Sequence, residues 1–471
     1  MNDLVIASGT VVTAAGAYRA DIGIRGERVA AVGHGLAGLR TMDADGCYVI
    51  PGGVDVHVHL QMAVGGFVSS DTFASGSVAA ACGGTTTLVD FVEPAVGQSM
   101  LQALALRRGE ADPQVAVDYG LHMTLPVWQV DHALDELEQV MEQGVYSFKM
   151  YQAYGALCLD DARLYAALRA IRRGGGFPIL HSENGPLIDV LRAEAQDQGH
   201  VAPVWHARTR PAALEAESIA RALEIARLAG SPLYIVHVSC GPALEVLACA
   251  QREGRPVFGE TCPQYLWLTE DHLGGPHGGR FVCSPPLRSA ADQQALWIGL
   301  SRGVLGVVST DHCPFTADEK DSPPAFTRIP GGLPSVEARL SLVFQAVRRG
   351  TLALSRWVDC CCSTPARLFG LAGKGELAPG YDADLVVFDP QKEMTISRGA
   401  LHERVDWSPY DGMTLTGWPR AVYSRGELVA ESGRFVSRTG RGRFLAAGLA
   451  PGATHLAARA QDWSGRGVEG Y

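Results

Sequence analysis

No Cys-x-x-Cys pair occurs among the 11 cysteines, and their number is odd. A disulfide framework and a thiolate metal cluster both need spacings that are missing here. The cysteines read as small core residues. Three are consecutive, Cys360, Cys361 and Cys362, inside an expected helix. Free thiols in this number point to a reducing compartment, the cytoplasm. No stretch reaches the ~18–20 apolar residues that a membrane span needs. The opening Met1-Asn2-Asp3-Leu4-Val5-Ile6 has no charged leader before a long apolar run, so it does not read as a secretory signal. Basic residues are in deficit: 40 Lys and Arg against 50 Asp and Glu give a net charge of -10. That balance argues against a nucleic-acid partner. The one basic stretch, Arg438, Arg441 and Arg443, is short and broken by Gly440 and Gly442, and reads as a solvated loop.

What is present is a large apolar core. Hydrophobic residues make up 47% of the 471, and charged residues 19%. That length holds one large domain plus a smaller one. The most informative run is Gly52-Gly53-Val54-Asp55-Val56-His57-Val58-His59-Leu60. A strand alternates faces with period two, so His57 and His59 point the same way. Two neutral imidazoles at one strand end form half a site for zinc or a similar metal.

Four more strand-like runs end in a residue that can bind metal. Val145-Tyr146-Ser147-Phe148 leads to Lys149, and Phe177-Pro178-Ile179-Leu180 leads to His181. Leu233-Tyr234-Ile235-Val236 leads to His237, and the run from Val304 to Thr310 leads to Asp311. Helical patterns fill the gaps, such as Asp160 to Ile171, with Leu164, Leu168 and Ile171 on one face, and Leu214 to Leu228. This alternation predicts an α/β fold with a parallel sheet. If the sheet closes into a (β/α)8 barrel, the strand ends converge on one mouth and six candidate ligands meet there. His122 and His312 are expected to be structural.

Both flanks read as short strands punctuated by glycine. They are too short for independent stability, so pairing of the two ends into one small β-sandwich is expected. The expected division is 1–51 and 376–445 for the sandwich, 52–375 for the barrel, and 446–471 for a tail laid on a neighbouring subunit.

The chain resembles the dihydropyrimidinase and hydantoinase family of the amidohydrolase superfamily over nearly its whole length. The carrying segments are the His57–His59 run, Ser147-Phe148-Lys149-Met150, His181-Ser182-Glu183-Asn184 and Ile235-Val236-His237-Val238-Ser239. Further ones are Gly259-Glu260-Thr261-Cys262-Pro263-Gln264-Tyr265, Cys283-Ser284-Pro285-Pro286-Leu287-Arg288, Ser309-Thr310-Asp311-His312-Cys313-Pro314-Phe315 and the segment Lys374 to Leu385. The resemblance implies hydrolysis of a cyclic amide to an N-carbamoyl amino acid by a bridging hydroxide between two divalent ions, Zn2+ foremost. It implies that His57, His59 and Asp311 hold the more buried ion and that His181 and His237 hold the other. Lys149 would bridge them as a carbamate. Asp311 would also move the proton, and Tyr154 would donate to the oxyanion. Ser284 and Gly331 would pair with the flat edge of a cyclic ureide. A homotetramer built from dimers is expected by the same analogy.

Two features modify this expectation. Gly331 stands where the family commonly has Asn, and the Gly331-Gly332 pair is more like allantoinases. Dihydroorotase is disfavoured, because Gln61 occupies the place of its carboxylate-binding arginine. A scaffold without catalysis is disfavoured by the full ligand set, and a mononuclear deaminase by the offset of Glu183 from His181. The side chains expected around the substrate's ring substituent are Val64, Tyr151 and Cys158. Val64 and Cys158 are small there, which predicts room for a bulky group.

Overall fold

The computed structural model describes residues 1–125 and 135–448. Eight parallel strands follow one another in sheet order: Gly53–Val58, Thr85–Val92, Asp118–Thr124, Ser147–Tyr151, Phe177–His181, Leu233–Ile235, Val257–Thr261 and Val307–Val308. The last strand meets the first through a parallel bridge of Val58 with His312. Asp55 ties the closure, accepting hydrogen bonds from Thr310 N at 3.1 Å and Thr310 Oγ1 at 2.6 Å. Buried Arg339 donates to the carbonyls of Val54 and Val308, one from each closing strand. The (β/α)8 expectation is met.

Helices cover the barrel where apolar residues recur at helical spacing. The helix Asp161–Arg173 is an example: Leu164, Leu168 and Ile171 are buried along one stripe. Asp160 caps it by accepting from Arg163 N at 2.8 Å, and Gly174 ends it. Val54, Val56, Val89, Ile179, Tyr234, Val236 and Val307 fill the barrel interior, with Phe369 and Leu371 packed against them. Cys360, Cys361 and Cys362 are buried in a single π-helical turn, Asp359–Ser363, rather than a regular α-helix. All eleven cysteines are free thiols.

The ends of the chain do pair. A nine-stranded sheet joins five N-terminal strands to four C-terminal ones through Tyr48–Pro51 and Leu385–Thr395, with Val387 opposite Val49. It has its own core of Leu4, Ile6, Val11, Ile22, Val49, Leu385 and Val387. The basic stretch is not a solvated loop throughout. Arg438 is exposed, but Arg441 is buried and donates to the carbonyls of Ala116 and Ser424, and Arg443 pairs with Glu27 at 2.7 Å. This segment is stapled between barrel and sheet, since Arg443 N donates to buried Asp118. Of the expected tail, Ala447 and Gly448 donate to the carbonyls of Gly144 and Gly370, and 449–471 lie outside the described residues. Among the described residues no helix is long and apolar enough to cross a membrane.

Candidate active site

The first barrel strand carries a bulge. Its pairing to Thr85–Val92 runs Asp55 to Leu88 and then Val58 to Asp90, three steps against two. Val54 and Val56 therefore belong to the barrel interior, while Val58 and Leu60 pack on the outer layer. The flip turns His57 and His59 inward. Their Nε2 atoms lie 3.2 Å apart, and Asp311 Oδ1 is 3.2 Å from His57 Nε2 and 3.1 Å from His59 Nε2. His181 Nδ1 lies 2.9 Å from His237 Nε2, and the His57 and His237 ring centroids are 5.5 Å apart. Asp311 and His237 both hold left-handed backbone, φ 51° and 39°. Such conformations cost about 1–3 kcal/mol each and cluster where geometry is functional.

Lys149, the middle residue of the fourth strand, faces the same space, is fully buried, and forms no ion pair among the described residues. Its nitrogen sits 5.2 Å from the Phe91 ring centre and 5.3 Å from that of Tyr151. Burial lowers its pKa, against the pull of Glu260 and Asp311. The six residues read from strand ends thus come together.

Carboxylates stand behind the histidines. Glu260 Oε1 is 2.6 Å from His57 Nδ1, and Glu183 Oε2 is 2.8 Å from His181 Nε2. Tyr234 donates to Glu260 at 2.8 Å, and Arg210 to Glu183 at 2.6 Å. Neither Glu260, Glu183 nor Arg210 was given a role by the sequence. Glu260 and Glu183 lie within segments the family resemblance rests on, and that is the one signal that marked them. His122 and His312 are structural, as expected: His122 Nε2 meets the Val56 carbonyl at 2.9 Å and His312 Nε2 meets Asp71 at 3.0 Å.

The donor set fits a cation. Burial holds His57, His181 and His237 below their ordinary pKa, so they are neutral near pH 7. Neutral His57 has one N–H, which Glu260 takes at Nδ1. Its Nε2 lone pair then faces Asp311 Oδ1, acceptor against acceptor. His237 Nδ1 is buried with no hydrogen-bond partner. A divalent ion resolves the facing acceptors of His57, His59 and Asp311, and imidazole with carboxylate is ordinary zinc ligation.

A cavity of about 430 Å³ opens over this floor. Val64, Tyr151, Tyr154, Ser284 and Gly331 line it. Val64 belongs to a small hairpin, Ala63–Val64 with Phe67–Val68, at the mouth. Tyr154 has φ 65° and its ring stands 4.8 Å from that of His181. A Cβ built on Gly331 would lie 3.6 Å from Ser284 Oγ, so these two adjoin. Cys158 is a correction. It is not a lining residue and faces a separate surface depression with Asp160 and Arg221. Leu157, the last residue of the 3-10 turn Gly155–Leu157, lines the cavity instead.

The amidohydrolase family model matches residues 48–429. The chain is 44% identical to a D-hydantoinase of Streptomyces coelicolor, over 93% of this chain and 97% of that one. It is 42% identical to a D-hydantoinase of Geobacillus stearothermophilus, over 94% and 96%. A crystal structure of dihydropyrimidinase from Brevibacillus agri superposes with a TM-score of 0.92 at 41% identity, covering 94% of this chain and 98% of that one. The fold is that of an amidohydrolase, and the chain belongs to that family. Within it, the chain belongs with the hydantoinases and dihydropyrimidinases.

Proposed function

We propose that this protein hydrolyses the cyclic amide bond of hydantoins and dihydropyrimidines to give N-carbamoyl amino acids. The carrying observation is the set of facing acceptors, His57, His59 and Asp311, on the floor of a largely apolar cavity. His57, His59 and Asp311 would hold one divalent ion, His181 and His237 a second, with Zn2+ the best match to this set. Lys149 would join them after its neutral amine attacks the carbon of carbon dioxide and sheds a proton, giving a carbamate with two oxygens. Bound there, the ions would lower the pKa of a water and polarise the ring carbonyl.

The chain's own groups do the rest. Asp311 takes the proton of the attacking water and returns it to the ring nitrogen as the C–N bond breaks. Partial enclosure in the cavity shifts the Tyr154 phenol upward, so it stays protonated at neutral pH and donates a hydrogen bond to the developing oxyanion. Ser284 and the backbone at Gly331 pair with the ureide edge. Val64, Tyr151 and Leu157 surround the ring substituent. The reading includes two structural units, 52–375 and 1–51 with 376–445, a homo-oligomer, and a cytoplasmic location consistent with eleven free thiols.

The test is a panel with zinc-loaded protein: hydantoin, 5-substituted hydantoins of both hands, dihydrouracil, allantoin, dihydroorotate and phthalimide. Ring opening of hydantoin or dihydrouracil is expected, with allantoin and dihydroorotate inert. Turnover of allantoin alone would replace this reading with an allantoinase.

A further inference from the structure

Arg192 is a lining residue of the cavity that the reaction as drawn does not use. It lies on the helix Gly185–Asp197, and its side chain is 31% exposed. Two loose contacts hold it: Asp189 Oδ1 at 3.5 Å and the Thr327 carbonyl at 3.3 Å. Asp189 is itself 59% exposed. A guanidinium has five N–H donors, so among the described residues most of this one's have no protein partner and face solvent. The second arginine of the wall, Arg210, is different. It is buried and spent on Glu183 at 2.6 Å. The two guanidiniums repel each other, which adds to the burial that disfavours the Arg192 charge.

The cavity's other carboxylate does not serve Arg192. Glu93 accepts from Tyr151 at 3.3 Å and interacts with His59 and Lys149. Thr327 adjoins Arg192, and Leu157 and Phe326 are among the apolar residues that line the same cavity. A neutral apolar substituent packed against that wall would strip water from the free N–H groups and offer nothing in return. A carboxylate would fill two of them in parallel.

We propose that Arg192 is a carboxylate-binding specificity residue, and that the substrates this site favours are cyclic ureides whose 5-substituent ends in a carboxylate. This rests on the hydantoin-opening reading above. Arg192 lies on the helix Gly185–Asp197, away from the position of Gln61, so a carboxylate held there is one on the 5-substituent and not one on the ring itself. Gln61 turns away to accept from Phe73 N at 3.3 Å.

The test compares 5-(2-carboxyethyl)hydantoin with its neutral isostere, 5-(2-carbamoylethyl)hydantoin. The wild-type protein should favour the acid in kcat/KM, and less so as salt rises. Arg192→Gln and Arg192→Met should lower kcat/KM for the acid by about 10- to 100-fold, the loss of a hydrogen bond to a charged group. The amide, whose carbonyl accepts but carries no charge, should lose clearly less than the acid, at most about 10-fold in either variant, so that the preference for the acid falls. Calorimetric binding of the acid's ring-opened product should weaken in parallel, with unchanged metal content. No preference for the acid, or equal losses on both substrates, overturns the proposal. Failure to open even unsubstituted hydantoin overturns the underlying reading instead.

Discussion

His57 Nδ1 lies 2.6 Å from Glu260 Oε1, and neither side chain reaches solvent. Glu260 also accepts from Tyr234 and from His237 N, so one carboxylate orients a ligand from each half of the site. Such partners fix the imidazole tautomer and raise its basicity. Glu260→Gln keeps the shape and loses the charge. Metal affinity should fall about 10- to 100-fold, read by competition with a chelator. Unchanged affinity would reduce Glu260 to a packing role.

The second prediction concerns Lys149. Lys149→Ala removes the proposed bridge while leaving the four histidines and Asp311 in place. Elemental analysis should show loss of the second metal, and activity should nearly vanish. Formate or acetate should restore part of it by supplying two carboxylate oxygens. A variant that keeps both metals and its turnover would remove Lys149 from the centre.

The convergence of the candidate ligands was legible because it needs only local information. Each of His57, Lys149, His181, His237 and Asp311 ends an apolar run, and barrel closure gathers strand ends by rule. The pairing of the two flanks was legible for a similar reason, since neither can bury a face alone. What was hidden depends on phase or on distant contacts. The bulge at Asp55–Val58 that turns the histidines inward leaves no mark in the alternating pattern. Leu157, at the end of a 3-10 turn, lines the wall rather than Cys158. Arg441 reads as a surface residue until the Ala116 and Ser424 carbonyls are seen against it. Arg210 and Arg192 sit on or beside helices, and only the tertiary fold brings them to the cavity.

Tyr154→Phe isolates one hydroxyl at almost constant volume. If the phenol donates to the oxyanion, kcat should fall by about 10²–10³ with metal content unchanged. Near-normal kcat would leave Tyr154 as an aromatic wall beside His181.

The placement of Leu157 rather than Cys158 in the cavity wall can be tested directly. Val64→Phe and Leu157→Phe narrow the cavity, and each should cut activity on a bulky 5-substituted hydantoin while sparing unsubstituted hydantoin. A few methylenes are worth ~1–3 kcal/mol of such discrimination. Cys158→Ala should change neither activity, because that side chain faces the other depression. Sensitivity at Cys158 with indifference at Leu157 would reverse the assignment.

Lys320 offers the last prediction. Its ammonium is fully buried and donates to three carbonyls: Val282 at 2.6 Å, Pro330 at 2.7 Å and Gly332 at 3.0 Å. Those carbonyls belong to the two loops that carry Ser284 and Gly331, so one cation pins both halves of the proposed ureide edge. Burial opposes the charge and pushes its pKa down to about 7. Lys320→Met keeps the length, relieves the buried charge and strands the three acceptors, each worth about 1–3 kcal/mol when unpaired. The loops should part at their tips, away from the metal ligands. KM should therefore rise for every substrate, while kcat and metal content change little. A fall in kcat at constant KM would mean that the loops act on the reacting carbonyl rather than on the edge of the ring.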